Sequence, residues 1–135
     1  MTPLLRVLIA SGAIALGLVS ASCATNNSER LAHEIAAIQS IRTIHTAEVQ
    51  YYSQNGRYAA SFAELADLIG PELATGQRNG YQFTLSPNGT GYQITAVPVT
   101  FNVTGSRTFF SDQTLVVRQN RGAGPATANS PELGQ

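Results

Sequence analysis

The chain has 135 residues, 43% of them hydrophobic, with eight acidic and eight basic side chains and a formal net charge of zero. That length holds one domain. The basic residues are all arginines, scattered from Arg6 to Arg121 without a patch, which excludes the clustered footprint that nucleic acid binding requires.

Arg6 precedes an apolar run, Val7–Val19, and the small residues Ser20, Ala21 and Ser22 lead to Cys23. A basic start, a short apolar core and small residues at the end predict a cleaved signal peptide over 1–22. The run falls short of the roughly 20 residues that span a bilayer as a helix. Extending it from Pro3 to Ala24 brings in serines and glycines, and leaves a retained anchor as the alternative. Cys23 is the only cysteine, so no intramolecular disulfide can form. Its place after the small residues resembles the lipid-modified cysteine of bacterial lipoproteins, with 23–26 as a linker to the domain. Attached acyl chains anchor such a protein to a membrane. Ser20 departs from that pattern, which usually has Leu there, and cleavage near Ala21 or Ser22 with a free thiol is the other reading. Ala24 is not the Asp that retains many lipoproteins at the inner membrane, so the expected location is the outer membrane or the periplasm.

The folding domain is expected over 27–119. Asn26 and Glu29 have capping-box spacing, and Leu31, Ile35, Ile38, Val49 and Tyr52 recur at helical period with Ile41 at the border of their face, predicting one long amphipathic helix with that stripe in the core. Arg42 and His45 interrupt the stripe. Asn55-Gly56 stops the helix, because glycine tolerates the left-handed conformation of a C-cap. Ser61 and Glu64 open a shorter helix with Phe62, Leu65, Leu68 and Ile69 on its apolar side, and Gly70-Pro71 ends it. Residues 72–79 read as an irregular loop.

The period then changes to two. Tyr81, Phe83 and Leu85 alternate with polar residues, as do Tyr92, Ile94 and Ala96, around the turn signal Pro87-Asn88-Gly89-Thr90. Thr108–Ser111 and Thr114–Arg118 read as a second hairpin around Asp112-Gln113. Helices first and antiparallel strands last predict an α+β domain: a long helix and a short one packed on a sheet of about four strands. Residues 120–135, rich in Gly, Pro, Ala and Asn, are expected to be a disordered tail.

Catalytic chemistry finds little support. His33 and His45 stand 12 residues apart on one helix, about 18 Å, too far to share a metal. No spacing supplies further ligands, and no nucleophile elbow, phosphate loop or dinucleotide fingerprint appears. The expectation is a non-enzymatic protein with no cofactor and no small-molecule substrate. Arg42 reads either as a contact in an assembly or as a guanidinium laid along the core towards backbone carbonyls or a carboxylate. Tyr58 and Phe62 could join it in a protein-binding patch.

The ordered set Ser40–Glu48, Tyr51-Tyr52, Asn55–Tyr58, Leu65, Leu68–Leu73, Gly80–Phe83 and Gly105–Asp112 resembles the headgroup of type IV pilin-like and type II secretion pseudopilin-like proteins. The resemblance covers roughly residues 31–118. It implies an envelope protein that contacts other envelope proteins in a secretion or pilus system. The prepilin processing site and its long hydrophobic helix have no counterpart, which implies a headgroup on a lipoprotein signal that does not polymerise as pilins do. The calcium-binding acidic loop of major pseudopilins is also missing, since the last third of the domain holds only Asp112. The alternatives are a soluble secreted binding module and a divergent pseudopilin that keeps its N-terminal anchor.

Overall fold

The computed structural model describes residues 10–134, with side chains from Asn26 onward. Helix α1 (Ala10–Asn55) is continuous over 46 residues, about 69 Å at 1.5 Å per residue. It does not begin near Asn27. Residues 23–26, expected as a linker, are helical, and the Asn26–Glu29 spacing lies inside the helix. Once a helix is nucleated each further residue adds a hydrogen bond, and no Gly or Pro between 18 and 55 interrupts it. The first nine residues of the expected signal peptide and the Cys23 side chain lie outside the described residues. Among the described residues no helix is long and apolar enough to cross a membrane.

At its other end α1 stops where expected. Gly56 adopts φ 72° and its N–H donates to the Tyr52 carbonyl at 2.8 Å. Helix α2 (Phe62–Ile69) buries Leu65 and Ile69. Its start is held differently from the expected box: Ser61 makes no side-chain cap, and the Glu64 carboxylate accepts the Ala60 N–H at 2.7 Å. Gly70, at φ 83°, separates α2 from the single turn α3 (Pro71–Ala74).

Five strands form an antiparallel meander in sequence order: β1 (Gln77–Arg78), β2 (Tyr81–Asn88), β3 (Gly91–Pro98), β4 (Arg107–Asp112) and β5 (Arg118–Arg121). The region read as an irregular loop therefore contains α3 and β1. Asn79 and Gly80 both take positive φ, the two-residue turn that matches strand twist, and close the β1–β2 hairpin. The β2–β3 hairpin pairs Phe83 with Ala96 and Leu85 with Ile94, so all four point to one face. That face packs under α1 and α2, and Tyr81, Tyr92, Ile94 and Phe109 are almost wholly buried there with Ile41, Ile44 and Leu65. The α+β architecture is thus as the sequence predicts, with one more strand.

The second hairpin is displaced. Arg118 opens β5 rather than closing it, and 113–117 form the connection. The C-terminal segment is not a loose tail. Residues 120–121 belong to β5, and the chain then turns back along that strand. The Gln119 N–H donates to the Pro131 carbonyl at 2.9 Å, and the Leu133 N–H to the Val117 carbonyl at 2.8 Å. Thr108 Oγ1 donates to the Gly124 carbonyl on the sheet face away from α1, where Phe110 also lies buried. Composition predicted disorder because the segment has few apolar residues of its own. It is ordered by backbone bonds to a sheet edge that otherwise stays open, and Ala126 is buried with it.

Candidate interaction face

Helix α1 carries two adjacent stripes. Glu34, Ala37, Ile41, Ile44 and Glu48, spaced alternately by three and four residues, face the sheet and are buried. About 100° round the helix from them lies the second stripe, Leu31, Ile35, Ile38, Arg42, His45, Val49 and Tyr52. The expected core stripe is this second one. Its two ends face outward: Leu31 is 53% exposed, Ile35 48%, Val49 54% and Tyr52 48%, while between them Ile38 packs partly on the core and His45 is buried. The four exposed side chains extend along about 31 Å of helix.

The helix buries its polar-bearing side because the sheet and loops offer partners to each polar group. Burial alone would raise the Glu34 pKa, but its carboxylate accepts the Ser106 N–H at 2.7 Å, the Ser106 hydroxyl at 2.8 Å and Arg107 Nε at 2.9 Å. Together these hold the group below its ordinary value. Arg107 also donates to Gln119 Oε1 at 2.8 Å.

His45 sits between Tyr92 Oη, 2.6 Å from Nδ1, and Ser111 Oγ, 2.7 Å from Nε2. Ser111 spends its one hydroxyl proton on the Val116 carbonyl at 2.8 Å. It must therefore accept from Nε2–H, which leaves Nδ1 to accept from the Tyr92 hydroxyl. Every group is satisfied with a neutral imidazole, in keeping with burial lowering the His45 pKa against the opposing pull of Asp112. The Ser111 proton points away from the ring and the residue is wholly buried, so this Ser–His pair is not a base-activated nucleophile.

Glu48 is the least satisfied of the three. Its Oε2 accepts the Ala59 N–H at 2.7 Å, while Oε1 has no hydrogen-bond partner among the described residues. Burial pushes its pKa up to about 7.

Arg42 lies exposed in the middle of the outward stripe, and its guanidinium makes no hydrogen bond or ion pair among the described residues. The expectation of a guanidinium laid along the core is overturned, because the side chain leaves the helix on the face turned away from the sheet. Tyr58 joins the far end of the stripe. Its ring packs at 4.7 Å from that of Tyr52 and edge-on at 4.9 Å from that of Tyr92, and so links the exposed face to the buried His45 group. Arg57 beside it pairs with Glu64 at 2.8 Å and stacks over Tyr51, pinning the loop between the helices. Phe62 does not join this face; it packs against the core as the first residue of α2. The helix sequence did not mark Leu31, Ile35, Val49 and Tyr52 as surface residues, although the conflict of Arg42 with an apolar stripe was the signal.

Among the described residues no group of three or more His, Cys, Asp or Glu side chains is placed to hold a metal ion. His33, beside Gly80 and Thr104, and His45 belong to separate environments. A surface depression of about 480 Å³ adjoins Tyr52, Arg57 and Tyr58, with Pro87 and Thr90 on its far wall. No family model, curated protein or solved structure matches the chain.

Proposed function

We propose that this chain is a non-enzymatic, envelope-attached protein-interaction module, a pilin-like component related to type II secretion or type IV pilus systems, in which α1 is the docking element. The observation that carries this reading is the outward stripe of α1, four large apolar side chains about half exposed on either side of Arg42, which has no partner among the described residues, and of the buried His45. Solvated helix faces carry polar residues, and an apolar face of this length implies a partner that covers it. Arg42 gives the partner a chemical requirement, a carboxylate or a row of carbonyls at mid-stripe. The resemblance to pilin-like headgroups over 31–118 supports the class of machine, and the apolar Val7–Val19 run with Cys23 supports membrane attachment.

Continuity of α1 through residues 23–26 favours one of the alternatives, a divergent pseudopilin that keeps its N-terminal segment as an anchor. Intact mass of the protein from its native membrane separates the forms: acyl chains on Cys23, an unmodified chain beginning near Ser22, or a full-length chain. The docking claim is tested by Ile35→Glu with Val49→Glu. These changes leave the thermal midpoint of the isolated protein unchanged and abolish its higher-mass complex on native gels of envelope extract. A complex that persists contradicts the reading.

A further inference from the structure

Three of the large exposed hydrophobics fall within five residues, Val99, Phe101 and Val103, on the β3–β4 connection. The segment is rigidly built. The Asn102 N–H donates to the Gly105 carbonyl at 2.7 Å, the Thr104 N–H to the Thr100 carbonyl at 2.9 Å, and Thr104 Oγ1 closes the loop onto the Thr100 N–H. Gly105 backs onto the Tyr81 hydroxyl with no room for a Cβ. A loop this well determined keeps its apolar side chains outward in a fixed constellation.

Its position on the helix is also fixed. Arg30 Nη1 donates to the Asn102 carbonyl at 3.1 Å, and Nη2 donates to Asn27 Oδ1 at 2.9 Å. The guanidinium leans one turn towards the helix N-terminus, so the Asn102 tip of the loop lies level with about Asn27, while Thr104 lies further along, near Gly80 and His33. From Asn27, Cys23 is about 6 Å and Val19 about 12 Å away along the axis, at 1.5 Å per residue. Leu31 and Phe101 share the rim of one depression with Arg107 and Arg121. Of these cations Arg107 is matched by Glu34, while Arg121 is exposed and has no ion-pair partner among the described residues. An apolar tip flanked by Arg30 and Arg121 suits a surface that is apolar within and anionic at its boundary.

We propose that the 99–105 loop rests in the headgroup layer of an anionic lipid bilayer. The inference rests on the membrane attachment proposed above. An acyl chain on Cys23 brings the bilayer surface to within reach of the loop tip, about 6 Å away against a polar layer roughly 5–8 Å deep on each side. The contact turns a tether into a two-point attachment and sets the direction in which the outward stripe of α1 points.

The chain has no tryptophan, so Phe101→Trp makes a single reporter in the full-length protein. Val103→Trp, at the most exposed of the three positions, is a second reporter if the first disturbs the fold. The protein is reconstituted into vesicles of phosphatidylethanolamine and phosphatidylglycerol, with a matched set carrying bromine near the headgroup. The expected result is blue-shifted emission and quenching of about two-fold or more by the brominated lipid, both weakened in phosphatidylcholine and by Val99→Asp. Protein that sediments with the vesicles while its emission stays that of water overturns the loop contact and leaves membrane attachment standing. Protein that does not sediment overturns both. A shift that needs no lipid and grows with protein concentration assigns the loop to a second copy of the chain, and also overturns the proposal.

Discussion

The Glu48 carboxylate closes on the Ala59 backbone N–H at 2.7 Å from the buried face of α1, with its other oxygen unpaired among the described residues. It fastens the end of the long helix to the loop that carries Arg57 and Tyr58, and it does so at an electrostatic cost. Burial raises its pKa from 4.5 to about 7, against the lowering effect of the Ala59 hydrogen bond. The folded state therefore holds a proton that the unfolded chain has already lost between those values. Its contribution to stability is highest below pH 4.5 and is lost as pH rises through about 7. The loss is at most about 3 kcal/mol. Glu48→Gln should leave stability below pH 4.5 unchanged and raise the urea midpoint at pH 8, flattening the profile between them.

His45 works in the opposite sense. Its folded pKa lies below 6.5 because it is buried, so its contribution is complete above 6.5 and is lost as pH falls through the lowered value. The two groups offset each other across weakly acid pH, and comparison of variants separates them. His45→Phe leaves the Tyr92 and Ser111 hydroxyls each short of a partner and should cost about 1–3 kcal/mol at pH 8. The same variant should have a shallower acid limb below 6.5. Denaturant titrations at several pH values read both effects.

Glu34 joins α1 to the start of β4 through Ser106 and Arg107, with its side chain only 5% exposed and that of Arg107 19%. Glu34→Ala leaves the Ser106 N–H without its acceptor and Arg107 without its carboxylate, and should destabilise the domain by about 3–5 kcal/mol. Ile35→Ala, at the next residue, should change stability by less than about 0.5 kcal/mol, as an exposed position does. Equal losses at both positions would mean that the burial of the two stripes is assigned wrongly.

Removal of residues 123–135 should destabilise the domain and promote association. It uncovers the Gln119 N–H at the β5 edge and removes the carbonyl bonded by Thr108, on the face where Phe110 lies. Thermal melting with light scattering, compared against the whole chain, checks both consequences.

Much of the architecture was legible because its signals are local. Asn55-Gly56 ends α1, and the alternation at Tyr81, Phe83 and Leu85 announces β2. Asn79-Gly80 was an equally local hairpin signal that reading 72–79 as a loop passed over. The choice of stripe was not local. Glu34, His45 and Glu48 are polar, and only the groups supplied by Ser106, Arg107, Tyr92, Ser111 and Ala59 make their burial affordable. No window of helix sequence contains those partners. The C-terminal segment escaped for the same reason, since its order lies in bonds to Val117 and Gln119 rather than in its own composition. Of the candidate site, the conflict of Arg42 with an apolar stripe was legible but its exposure was not, Tyr58 is half-buried between Tyr52 and Tyr92, and Phe62 packs inward as the first residue of α2.

The central claim is that the outward stripe of α1 is covered by another protein in the envelope. Its most direct test is a photo-crosslinking amino acid placed singly at Ile35, Val49 and, as a control on the neighbouring polar surface, Gln39, in the full-length protein within its native membrane. The account predicts discrete adducts from Ile35 and Val49 and none from Gln39. Absence of adducts at Ile35 and Val49, or equal labelling at all three positions, would contradict it.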